Sequence, residues 1–217
     1  MIRDLAVYRH GIRNEAADLA HAWRSVLDDG GFLWLGLVEP TDVEMADAAH
    51  VLGLHPLSVE DALHAHQRPK LERLGDTLIC VFKTVFYDDA TSAVDTGEVI
   101  VVCAPRFVLT VRHGMGAQLA DTRARLEARP DFLSHGPYSV LHAVLDTVVD
   151  DYVVIAGELE QDIAEIEHRV FSDDATSDAQ DIYLLKREVI EFRRAVKPLG
   201  QEIDEIFSGP EIGRAHV

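Results

Sequence analysis

The chain has 217 residues, and its 38 Asp and Glu outnumber its 20 Lys and Arg, for a formal charge of −18. At 27% charged and 47% hydrophobic it has a globular composition rather than a disordered one, with length for one large or two small domains. This acidity argues against nucleic acid and anionic membrane surfaces, which need a basic stripe, and it favours cations.

Residues 1–113 read as mixed α/β. MIRDLAVYRHG lacks the apolar core of a signal peptide. LAVYRH (5–10) and FLWLGLV (32–38) are strand-like, and Asn14–Asp28 between them carries apolar residues at spacings of three and four, a helical period. Thr41 is placed to cap a second helix, with Glu44 completing a capping box and Gly53 ending it. His55-Pro56 opens a short helix over Leu57–Ala65. Strands are predicted over Thr77–Tyr87, Glu98–Ala104 and Phe107–Arg112, the last two joined by a Pro105-Arg106 turn. Cys80 and Cys103 sit in these apolar runs without metal or disulfide spacing, so both are expected as buried thiols.

Residues 114–217 read as helical. A helix is predicted over Gly116–Ala128 and a long one from Gly136-Pro137 to about Phe171. The long helix has an apolar stripe through Leu141, Leu145, Val148, Tyr152, Ile155, Leu159, Ile163, Ile166 and Val170. After the polar segment Asp173–Asp181 comes a heptad seam: Ile182, Leu185, Val189, Phe192, Val196, Leu199, Ile203 and Ile206, interrupted at Pro198. Two such helices form an antiparallel hairpin. No run approaches the ~18 apolar residues of a membrane helix. The expected fold is a mixed β-sheet with helices packed on it, followed by long antiparallel helices. The expected units are 1–135, 136–210 and a tail, 211–217, that breaks the heptad and is expected to be non-native.

Catalytic signatures are missing. There is no P-loop, GxGxxG, GxSxG or HExxH. His64 and His66 would point apart on a helix and could not share a zinc. Carboxylates are the better candidates: Glu60 and Asp61 on the short helix, and Asp146 and Asp150 on one face of the long helix, with Asp151 beside them. Oxygen donors at the edge of an apolar stripe suit a hard cation such as Mg2+, whereas on their own they read as solvated faces and helix caps.

Four segments carry a resemblance. LGLHPLSVEDALHAHQRPKLERLGDTLICVFKTVFY (52–87), FVLTVRHG (107–114), GPYSVLHAVLDTVVDDYVVIAGELEQDIAEIEHRVF (136–171) and IYLLKREVIEFRRAVKPL (182–199) closely resemble the CorA family of divalent-cation transporters. FLWLGLVEPTDVEM (32–45) fits the family's tryptophan strand and acidic helix start. The resemblance implies the cytoplasmic, non-enzymatic regulatory domain of a homopentameric Mg2+/Co2+ channel in the plasma membrane, with pore helices and a Gly-Met-Asn motif beyond this sequence. It also implies that the segment is truncated within a stalk helix, and that only the pore helices would contact the membrane. Carried over by motif, Asp61 with Glu60, and Asp146 with Asp150 as a weaker candidate, would bind regulatory Mg2+ (Co2+ as an alternative) between subunits. Arg68, Pro69 and Lys70 are expected to fix a turn. Trp34 is expected to pack under the sheet. Lys186, Arg187, Glu188, Arg193 and Arg194 are expected to pair with the acidic helix alongside. The competing readings are a zinc-transporting relative, a stand-alone acidic metal-binding scaffold, and a hydrolytic metalloenzyme built on Asp61 and Asp146.

Overall fold

A computed structural model describes residues 2–64, 67–88, 93–171 and 179–208. The chain opens with a hairpin, β1 (Ile2–Arg9) and β2 (Ile12–Glu15). His10 and Gly11 turn it with positive φ angles of 51° and 74°, the backbone a tight hairpin requires. The helical period over Asn14–Asp28 is therefore overruled at its start. The first helix, α1 (Leu19–Asp29), begins only after Asp18, whose carboxylate caps it by accepting from the His21 N–H at 2.7 Å.

Next come β3 (Phe32–Val38) and α2 (Asp42–Leu52). The predicted capping box forms: the Thr41 hydroxyl accepts from Glu44 N–H, and the Glu44 carboxylate accepts from Thr41 N–H. The short helix α3 (Pro56–Leu63) follows. An edge strand absent from the sequence reading, β4 (Lys70–Leu74), pairs with β5 (Thr77–Asp88). Its KLERL sequence is half exposed, so no apolar alternation announces it. β6 (Ala93–Ala104) and β7 (Phe107–His113) complete the strands. The order is β2-β1-β3-β7-β6-β5-β4, antiparallel except for the parallel pair β3 and β7.

The sheet is covered on both faces. Strand alternation sends Ile100 and Val102 to one core, shared with α1, α2 and α3. Val99, Val101 and Cys103 go to the other core. That core is filled by α4 (Leu119–Glu127), α5 (Pro130–Leu133), α6 (Pro137–Val170) and α7 (Ala179–Ser208). Cys80 and Cys103 are buried free thiols, and burial pushes both upward in pKa, Cys103 to about 12.

α6 and α7 run antiparallel, with the Tyr152 ring edge-on to Phe192 and Arg169 paired with Asp181 at 2.9 Å. The fully buried stripe of α6 starts on Val140 and Val144; Leu141 and Leu145 are only partly covered, and Ile163 is exposed. The α7 seam packs through Leu185, Val189, Phe192, Val196 and Leu199, while Ile182 is exposed. Pro198 lies inside the helix without ending it. The side chains of Ile203 and Ile206, residues 173–178 of the polar segment, and the 211–217 tail lie outside the described residues. The basic residues of α7 differ from expectation. Arg187 pairs with Glu188 and Arg194 with Glu191, both within α7. Glu188 is itself buried and accepts from the Val94 N–H at 2.6 Å, so it ties α7 to the sheet.

Among the described residues, no helix is long and apolar enough to cross a membrane. Trp34 is buried as expected. Its indole N–H donates to Thr110 Oγ1 at 3.2 Å, and the Arg123 guanidinium lies 3.8 Å from its ring centroid.

Candidate functional site

The HPL-x-x-ED segment builds α3 and aims it. His55 caps the helix through Nδ1, which accepts from Leu57 N–H at 3.2 Å, and Pro56 occupies the first turn. This phase turns Ser58, Asp61 and Ala62 toward the sheet and leaves Glu60 exposed. Asp61 is 8% exposed. Lys70 Nζ lies 2.8 Å from its Oδ2 and supplies the counter-charge for that buried oxygen. Lys70 also meets Glu72 at 3.2 Å. Burial works against the Lys70 cation, yet Asp61 and Glu72 outweigh it, and its pKa is raised. Lys70 is thus the first residue of an edge strand and the counter-ion of Asp61, not a turn residue.

Asp146 and Asp150 lie elsewhere. Both are exposed on α6, which packs on the opposite face of the sheet from α3. One chain therefore does not bring them to Asp61 and Glu60. The carboxylate at the edge of the apolar stripe is Asp151, half-buried, with its pKa raised by burial and by Asp150. Among the described residues, no group of three or more His, Cys, Asp and Glu side chains is arranged to hold a metal ion. His64 is exposed, and His66 lies outside the described residues.

Sequence reasoning missed a polar row beneath α3. Lys83, Glu98 and His113 are successive cross-strand partners on β5, β6 and β7. Lys83 pairs with Glu98, which is 2% exposed. His113 is also buried. Its Nε2 meets the Ala62 carbonyl at 2.9 Å and its Nδ1 meets Glu39 at 2.9 Å. Glu39 also accepts from the Gly114 N–H at 2.7 Å, which holds it at a positive φ of 43°. The signal was present: a charged residue inside each of the runs LICVFKTVF and GEVIVV, and a histidine ending LTVRH.

Gly114 N–H and His113 hold the Glu39 carboxyl below its ordinary pKa. A lowered folded-state pKa stabilises the fold above the unfolded value, and that contribution disappears as pH falls through the folded value. Glu39→Gln should therefore flatten the acid limb of a Tm-against-pH curve between pH 5 and 3. Because the side chain is 62% exposed, the change at pH 7 should stay below ~1 kcal/mol. An acid limb identical to that of the parent would remove Glu39 from this role.

Comparisons with known proteins agree over most of the chain. A family model described as "CorA-like Mg2+ transporter protein" matches residues 29–216. The "Cobalt/magnesium transport protein CorA" of Thermotoga maritima is 26% identical over 184 residues, covering 80% of this chain and 50% of that protein. This chain thus spans about half the length of that relative. Among solved structures, the full-length CmaX protein superposes with a TM-score of 0.76 at 19% identity, covering 97% of this chain and 64% of that one. The soluble domain of CorA from Methanocaldococcus jannaschii superposes with a TM-score of 0.70 at 15% identity, covering 93% and 78%. At those identities the superpositions establish the fold alone.

Proposed function

The chain belongs to the CorA-like Mg2+ transporter family, and from that premise we propose that it is the cytoplasmic regulatory domain of a divalent-cation transporter. The observation that carries this reading is the family match over residues 29–216, which includes the α3 segment presenting Asp61. The whole protein would sit in the plasma membrane as a homopentamer, with Mg2+ or Co2+ as transported ion and Mg2+ as regulatory ligand.

The donor set suits that ion. Asp61 offers a mostly buried carboxylate paired with Lys70, with Glu60 beside it on the surface. Asp146 and Asp150 are exposed on the other side of the sheet, available to a neighbouring copy. These are oxygen donors, the chemistry of hard cations; zinc and other softer ions favour thiolates and imidazoles. Cys80 and Cys103 are buried in strands and offer no such site. Five chains of −18 each repel one another around an axis. Cations held between Asp61 of one copy and Asp146 of the next reduce that repulsion and favour the assembled, closed state by linkage. Emptying those sites at low Mg2+ restores the repulsion and favours opening. Lys70 already neutralises Asp61, so the ion competes with an ammonium and binds weakly, as a sensor of an abundant ion requires.

Asp61→Ala is the test, read as protection of the full-length protein from proteolysis across a Mg2+ titration. The parent should become resistant as Mg2+ rises, and the variant should need more Mg2+. Superimposable titrations would sink the role of Asp61.

A further inference from the structure

On the sheet face opposite α3, a cleft of about 340 Å3 opens at the carboxyl ends of β3 and β7. These strands are the parallel pair, and Val38 partners Arg112 at the end of their ladder. Trp34, Gly36, Val38, Arg112, Leu119 and Arg123 are among the residues that line it. The volume is that of a small-molecule site, with apolar walls and a few polar groups.

Its polar atoms are unbalanced in one direction. Asp4 is the acidic residue lining the cleft, and its carboxylate is already engaged by Arg13 at 2.8 and 3.2 Å and by Arg123 Nε at 3.1 Å. Arg123 Nη1 donates to the Tyr8 hydroxyl at 3.2 Å. Its Nη2 has no hydrogen-bond partner among the described residues and faces the middle of β3, 3.7 Å from where a Cβ on Gly36 would stand. Arg112 Nη1 donates to the Ala117 carbonyl at 3.3 Å, whereas its Nε is buried with no partner among the described residues. Glu39, the carboxylate whose pKa Arg112 helps to lower, is committed to Gly114 and His113. Among the described residues, the cleft therefore holds guanidinium donors lacking acceptors, and its one lining carboxylate is fully engaged.

Arg123 cannot swing away. It is 6% exposed and held between Asp4, Tyr8 and the Trp34 ring. Gly36 supplies the room. A glycine within a strand weakens the strand, and it marks a place where something approaches the backbone closely. The Gly36 φ is not in the left-handed region, so nothing in its own backbone demands glycine.

We propose that this cleft binds a small organic anion, its carboxylate or phosphate on Arg112 and Arg123 and its apolar body against Val38 and Leu119. Charge-assisted bonds to guanidinium forks are the strongest of their kind, so a fixed pair selects an oxyanion even in an acidic protein.

The test uses the 217-residue chain in NMR titrations with benzoate and with phenyl phosphate, at ionic strength held constant with NaCl. The Trp34 indole N–H and the Arg112 Nε–H are the reporters. Either probe should shift them saturably, and the tighter of the two identifies carboxylate or phosphate as the preferred group. Arg112→Gln should weaken binding about tenfold, the loss of one charge-assisted hydrogen bond. Gly36→Val, which fills the cleft while favouring the strand, should abolish it and serves where Arg112→Gln fails to fold. Shifts that do not saturate with either probe, or affinities unchanged in both variants, would overturn the proposal.

Discussion

Lys83→Met should destabilise the domain by about 3–5 kcal/mol, measured as a lowered midpoint of urea unfolding. Glu98 is 2% exposed and paired with Lys83 across β5 and β6, and its second carboxylate oxygen is already buried without a partner among the described residues. Removing the ammonium leaves a carboxylate with neither water nor counter-charge. The double variant Lys83→Met/Glu98→Leu should recover most of the loss, because two apolar groups need no partners. A single variant as stable as the parent would mean that water reaches Glu98. The effect should extend to α3, because Glu98 neighbours His113 in the ladder and His113 holds the Ala62 carbonyl next to Asp61.

Gly11→Ala should cost about 3 kcal/mol or more, or prevent folding altogether. Gly11 has a φ of +74°, and a Cβ there would stand 1.9 Å from the Pro130 carbonyl oxygen and 2.6 Å from its carbon. Those atoms are backbone at the start of α5, so relief requires the β1–β2 hairpin and α5 to separate. Gly53→Ala is the control. Gly53 has a φ of +66° at the end of α2 and no described atom within 4 Å of a Cβ there, so only the left-handed strain applies, about 1–2 kcal/mol. Equal losses in the two variants would show that the turn, and not the close approach, governs Gly11.

Much of the fold was legible because local and tertiary preferences coincide. The Thr41–Glu44 capping box, the Pro137 start of α6 and the Pro105-Arg106 turn are short-range chemistry, and each formed where the residues indicated. Where tertiary packing decides, the pattern misled. Asn14 and Glu15 fit a helical period, yet the His10-Gly11 turn returns them to β1 as a strand. β4 carries three charged residues in five and is a strand only because β5 offers it an edge.

The same division runs through the candidate site. By itself the sequence determined the family, the acidic character and the motif that carries Asp61, because these depend on residue identity and order alone. Only the tertiary structure decided what surrounds them. It gave Asp61 a lysine partner from an edge strand that the pattern could not reveal. It placed Asp146 across a seven-stranded sheet from Asp61. It also lined up Lys83, Glu98 and His113, which lie 15 residues apart in sequence, into one buried row. The physical reason is that strand register and helix docking bring together residues whose separation along the chain says nothing of their distance in space, and the charges so assembled govern which ions each site can hold.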